Sequence, residues 1–229
     1  MTRSSPMVSG AAGPHDPRFP DDPPPLVSRR TVFAAGEILL TLGLVVLLFA
    51  AYEFAGKAWA ADRAQNDLDR RWEQGLPVPG QPIGRLHIPR LGKKWVVAEG
   101  VSRGALAKGP GHYPDSDDPG EVGNVAIAGH RMPSVFWNLD RLRAGDPIVL
   151  ETRSGWFVYR TTRSKVVPPT RVQVVAPDPD RPSAKPSRRL LTLTTCNPKF
   201  DNYQRLIVHA ELSRAQAKSA GRPPELARR

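Results

Sequence analysis

One cysteine, Cys196, has to serve a chain of 229 residues. No internal disulfide can form, so stability must come from a hydrophobic core rather than a cross-linked scaffold. At 40% apolar residues the chain can build one. Acidic residues are in deficit, 22 against 33 Lys and Arg, which leaves a formal net charge of +11. Such a balance favours anionic partners: nucleic acid, anionic lipid or anionic wall polymers. The sequence nevertheless lacks zinc-ligand spacing, an aromatic ribonucleoprotein motif and a clear basic recognition helix, and we expect no nucleic-acid partner. Part of the excess charge lies in residues 214–229, which read as a solvated basic C-terminal tail. No internal repeat is present. The acidic stretch Asp115-Ser116-Asp117-Asp118 lacks the spaced ligands and bidentate Glu of a calcium loop. Neither a metal nor a cofactor is expected.

Long apolar runs are missing as well, with one exception. "RRTVFAAGEILLTLGLVVLLFAAYEF" carries no charge from Ile38 to Ala51, and from Val32 to Phe54 it reaches the length of a spanning helix, about 20 residues. Glu37 lies near the Arg29/Arg30 end, within reach of headgroups. Under the positive-inside rule those arginines stay cytoplasmic and the C-terminal part lies outside. Ala58-Trp59-Ala60 resembles a small-x-small cleavage site, the mark of a removed signal peptide. The long polar leader favours an uncleaved anchor. The expected organisation is a disordered cytoplasmic tail over 1–30, rich in Pro, Asp, Gly and Ser, and a transmembrane helix over 31–54. A polar stalk with the proline-rich linker "LPVPGQP" follows over 55–82, then a folded extracellular domain over 83–213 and the basic tail over 214–229.

Within the folded domain, short runs of Val, Ile, Thr and Tyr alternate with Gly and Pro punctuation. "GRLHIP", "KWVVAEG", "NVAIAG", "DPIVLET", "GWFVYRTTRSKVV", "RVQVV", "RLLTLTT" and "QRLIVHAEL" read as strands. "SRGALAKG" and "SVFWNLDRL" read as short helical turns. Many strands and few helices predict an all-β sandwich or barrel.

Read with a period of two, three of these strands lead to chemistry. Leu191 and Leu193 share one face, and Thr192, Thr194 and Cys196 share the other. Val125 and Ile127 alternate with Asn124, Ala126, Ala128 and His130, a small face suited to a shallow peptide groove. Arg205, Ile207 and His209 alternate with Leu206 and Val208. An unpaired extracellular cysteine means an intermolecular bond or a reactive thiol, with an inert buried thiol as the plain alternative. A nucleophilic thiol needs a base that later acts as acid, which histidine supplies. It also needs a fixed donor for developing negative charge, which a guanidinium supplies. His130 in "AGHR" and Arg205 fit those needs, provided "NPKFDNY" turns the chain back so that Arg205 returns beside Cys196. His15 falls in the tail, His87 and His209 read as structural, and His112 in "GPGHYP" is either a turn former or a groove residue. Phe136, Trp137 and Leu139 read as a packing cluster.

"GPGHYP…GNVAIAGHR…LTLTTCNPKF…RLIVHAEL" resembles the sortases, cysteine transpeptidases of Gram-positive surfaces, most of all the class E branch of high-GC actinobacteria. The resemblance implies an eight-stranded β-barrel with the active site in a groove. It implies cleavage of a Leu-Pro-x-Thr-Gly (LPxTG) or Leu-Ala-x-Thr-Gly (LAxTG) sorting signal after Thr. Cys196 would form the thioacyl intermediate, His130 would act as general acid and then base, and Arg205 would bind substrate and stabilise the oxyanion. Thr194, Thr195, Asn124, Ala128 and His112 are the substrate-binding candidates. The implied partners are surface proteins bearing such signals, a lipid-linked peptidoglycan precursor as amine acceptor, and the cell membrane. Two places depart from the family pattern: "RMPSVFWNL" after His130, and Asn197 where relatives often carry His. Both bear on substrate preference. A cysteine hydrolase acting on wall or surface peptides and a non-catalytic wall-binding module are the alternatives.

Overall fold

The computed structural model describes residues 28–76, 78 and 80–227. The expected tail over 1–30 lies outside them except for its last three residues, and Arg29 already opens a helix. This helix, α1 (Arg29–Glu73), contains no proline and runs unbroken for 45 residues. The expected membrane segment and most of the expected stalk are thus one element. Two compact units divide the chain between Phe49 and Ala50. In the first, large apolar side chains such as Ile38, Leu40, Leu47 and Phe49 are exposed, and α1 is long and apolar enough to cross a membrane.

The second unit is built on eight strands: β1 (Gly84–Ile88), β2 (Lys93–Glu99), β3 (Gly111–His112), β4 (Gly123–Ala128), β5 (Pro147–Glu151), β6 (Gly155–Val167), β7 (Arg189–Asn197) and β8 (Gln204–Ala217). They close a barrel in the order β1-β2-β3-β4-β7-β8-β6-β5. Only β2/β3 and β4/β7 are parallel. Alternation fills the interior: Leu86, Ile88, Val125, Ile127, Ile148, Leu150, Leu191, Leu193 and Val208 point inward and are almost wholly buried. Each contributes roughly 1.5–3 kcal/mol relative to exposure. Phe136 and Leu139 join the same core from the segment after His130, while the Trp137 ring packs instead on Phe200 of the β7–β8 turn.

Eight strands form, but not the eight read from the sequence. "RVQVV" folds as a 3₁₀ turn over Val172–Val175, because it packs Val174 inward without any strand beside it to pair with. The missing strand is β3, two residues long and therefore without a periodic signal. It passes so close to Gly100 that a Cβ on Gly111 would come within 2.2 Å of the Gly100 carbonyl, so the position needs glycine. A helical turn, α2 (Arg103–Leu106), precedes it, capped by the Ser102 hydroxyl, which accepts from the Ala105 N–H at 3.2 Å.

The basic tail also differs from expectation. β8 continues to Ala217, and Leu226 packs with Val149, Trp156 and Val158. Glu225 takes hydrogen bonds from Arg160 at 2.8 Å and Arg214 at 2.6 Å. An apolar anchor and a carboxylate between two guanidinium groups are enough to fold back a segment whose composition looks solvated.

α1 belongs to the barrel unit from Ala50 onward, and among its described residues Ala61 is the first that is buried. Leu68 and Trp72 pack on Val96. The Gln65 amide donates to the carbonyls of Val96 and Lys108, and its oxygen accepts from the Val96 N–H at 2.8 Å. β3 pairs with β2 only at Ala98 and Glu99. Gln65 therefore stands in for a neighbouring strand at Val96, where unpaired peptide groups would be costly.

Candidate active site

Two parallel strands set the site's geometry. β4 and β7 run side by side to a last registered pair, Ala128 and Thr194. His130 and Cys196 each lie two residues further on, so both emerge at the same end of the barrel. Gly129 makes this turn possible: a Cβ there would fall 2.6 Å from the Phe136 ring and 2.9 Å from Val135. Antiparallel β8 brings the third group back. Arg205 is the registered partner of Cys196, and Gln204 that of Asn197.

A groove of about 640 Å³ opens at this end. Cys196, His130 and Arg131 line it, with Met132, Ala60 and Ala107 supplying apolar wall and Phe200, Asp201 and Asn202 closing it from the β7–β8 turn. Cys196 is half-buried and is a free thiol; His130 is exposed. Arg205 is not among the residues lining the groove; strand register sets it opposite Cys196. Its Nη1 donates to the carbonyls of Asn202 at 2.6 Å and Gln204 at 2.8 Å, which braces the turn. A half-buried thiol and an imidazole at one groove, with a guanidinium on the residue registered opposite the thiol, are the group types acyl transfer needs for attack, proton transfer and charge stabilisation.

The five substrate-binding candidates fall elsewhere, and none lines the groove. Asn124 is fully buried; it donates to the Ala176 carbonyl at 2.9 Å and accepts from the Thr192 hydroxyl at 2.9 Å. It lies six residues from His130, about 20 Å along the strand. His112 is buried between the Glu99 carboxylate at 3.0 Å and the Ser116 hydroxyl at 2.9 Å, a structural bridge. Thr194 is 6% exposed and bonded to the Tyr113 hydroxyl at 3.2 Å. Ala128 and Thr195 are buried. The small face expected to form a peptide groove is instead covered by the chain's own 113–117 and 172–176 segments.

Two other histidines hold structure. His87 contacts the Glu151 carboxylate at 2.8 Å. Burial alone would raise that carboxyl; hydrogen bonds from His87, Arg85 and Lys218 outweigh it and hold Glu151 well below the usual range. His209 contacts the Thr192 hydroxyl at 3.0 Å. Burial, reinforced by Lys165 and Arg163, pushes its pKa down to about 4, so it is neutral at pH 7.

Sequence reasoning missed the wall residues. Ala60 and Ala107 carry no chemical signal, and the expected boundary placed Ala60 outside the domain. Arg131 was legible only as the residue after His130, yet it is the cation buried between the two strand ends.

The family model described as "Sortase domain" matches residues 86–213. Sortase SrtE1 of Streptomyces coelicolor is 35% identical over 212 residues, covering 84% of this chain and 60% of that protein. The chain thus spans about three fifths of that relative's length. Sortase SrtE2 of the same organism is 33% identical over 231 residues, covering 88% of this chain and 89% of its own. Among solved structures, sortase E1 from Streptomyces coelicolor with a tripeptide in the active site is similar at 36% identity and a TM-score of 0.61, covering 65% of this chain and 98% of that one.

Proposed function

The chain belongs to the sortase family of cysteine transpeptidases, and from that premise we propose that it cleaves a C-terminal sorting signal of the LPxTG or LAxTG type after Thr and transfers the new C-terminus to an amine. One observation carries the proposal: Cys196 and Arg205 are registered partners across β7 and β8, and His130 lines the same groove as Cys196.

The thiolate of Cys196 attacks the Thr carbonyl carbon. The carbonyl oxygen takes the negative charge, and the Arg205 guanidinium stabilises it. As the C–N bond breaks, His130 gives its proton to the departing Gly amine. The product is a thioester between Cys196 and the substrate's Thr. An incoming amine then attacks the thioester; His130 takes its proton and Cys196 leaves as thiolate.

The acceptor in this reading is an amino group of a lipid-linked peptidoglycan precursor, and the donors are surface proteins bearing the signal. α1 is the anchor, a single pass through the cell membrane, with the N-terminus cytoplasmic and the barrel outside. The test is to give the full-length protein in detergent two fluorogenic peptides, one LPxTG and one LAxTG, with and without triglycine. Ligated triglycine product that disappears in Cys196→Ala supports transfer. Cleavage with only water-derived acid, at any triglycine concentration, would instead make the protein a hydrolase.

A further inference from the structure

We propose that Arg131 is a positioning residue: its buried guanidinium continues the β4–β7 ladder past the end of β4 and fixes the separation between His130 and Cys196. The proposal rests on the reading of those two residues as catalytic.

The ladder itself shows the need. Gly129 N–H donates to the Thr194 carbonyl at 3.0 Å. The next carbonyl on that side of β7 belongs to Cys196, since strand carbonyls alternate in direction. By then the other chain has turned away, and the Phe136 N–H donates to the His130 carbonyl at 3.1 Å. The groove opens in this divergence. Arg131 bridges it: Nη1 donates to the Cys196 carbonyl at 3.3 Å and to Asn197 Oδ1 at 2.5 Å. Nη2 pairs with the Asp140 carboxylate at 3.3 Å, and the Arg131 side chain is only 5% exposed.

The bridge extends to the third group. Asn197 Nδ2 donates to Gln204 Oε1 at 3.1 Å, and Gln204 precedes Arg205. Arg131 is therefore one peptide bond from His130, one hydrogen bond from the Cys196 backbone, and two side-chain bonds from the residue before Arg205. Asn197, a departure from the family pattern, has both ends of its amide engaged in this link. Filling space alone would be served by an apolar side chain, without the desolvation cost of a buried guanidinium. Arginine's planar fork presents donors from separate nitrogens in fixed directions, here towards β7 on one side and Asp140 on the other, whereas a lysine ammonium offers its donors from a single freely rotating point.

The test uses the full-length protein in detergent, a fluorogenic LAxTG peptide and triglycine. Arg131→Gln should lower kcat roughly 10- to 100-fold while KM stays within about threefold, because small misplacements of reacting groups act on the rate. Arg131→Lys should recover part of the kcat. Asn197→Ala, which leaves the guanidinium in place, should lower kcat in the same direction by about fivefold, and it decides the matter if Arg131→Gln does not fold. Unchanged kcat in a folded Arg131→Gln, or in Asn197→Ala where Arg131→Gln does not fold, with Cys196→Ala inactive, overturns the positioning role and leaves the catalytic reading intact. Turnover retained in Cys196→Ala removes the catalytic reading, and the proposal with it.

Discussion

Cys196 and Arg205 are nine residues apart in sequence and directly opposed in the antiparallel pair of β7 and β8. The turn between them returns the chain over a short distance and sets the Arg205 backbone opposite that of Cys196. Because Arg205 also binds the Asn202 and Gln204 carbonyls, its position is set by the turn's own backbone. Arg205→Ala should lower kcat by about 10²- to 10³-fold, the usual effect of losing an oxyanion donor. Arg205→Lys should fall between, since it keeps charge but loses the fork. Steady-state kinetics on a fluorogenic signal peptide check both.

Ala60 offers a test of the groove wall. It lines the groove from α1, and its small size leaves room. Ala60→Trp should raise the KM for the peptide about tenfold, equivalent to about 1.4 kcal/mol of lost binding, with kcat little changed. A variant with unaltered KM would place the substrate away from α1.

Gln65 tests whether α1 is part of the folded domain. Its amide satisfies the Val96 N–H and the Val96 and Lys108 carbonyls. Gln65→Ala should cost about 2–3 kcal/mol, the penalty for buried peptide groups left without partners. Gln65→Glu should be at least as harmful, since it keeps the acceptor but turns the donor into a charge facing two carbonyls. Urea unfolding monitored by tryptophan fluorescence measures both.

The pH dependence of stability has a readable sign. His209 has a folded-state pKa near 4 against 6.5 unfolded. Between those values the unfolded chain binds more protons, so stability falls as pH drops from about 6.5 to about 4, and this group contributes no further loss below that. From pH 6.5 to 5 the loss should be about 2 kcal/mol. His209→Asn should flatten that window when urea midpoints at pH 7 and pH 5 are compared. Glu151 acts lower down. Its depressed pKa is stabilising at neutrality, and that stability is lost only as pH falls below about 4.5.

The sequence disclosed much of this because its strongest signals are local. Alternation in "LTLTTC" and "NVAIAGH" assigned inward faces that the barrel uses, and the turn "NPKFDNY" placed Arg205 opposite Cys196. What it withheld depends on tertiary neighbours. β3 is too short for any periodicity, and "RVQVV" has the composition of a strand but no strand to pair with. Small residues along β4 looked like room for a substrate; the chain's own segments occupy that room, and Asn124 and His112 spend their hydrogen bonds inside. The wall residues Ala60 and Ala107 come from elements distant in sequence, and no local pattern could place them beside Cys196.

Intact-mass spectrometry of the full-length protein, quenched in acid during turnover of a signal peptide, reads the central chemistry directly. A single thiol makes the result unambiguous. The account requires one acyl adduct, carrying the peptide up to its Thr, mapped to Cys196 and discharged by triglycine. Ligated product formed with no adduct on Cys196, and formed equally well by Cys196→Ala, would contradict it.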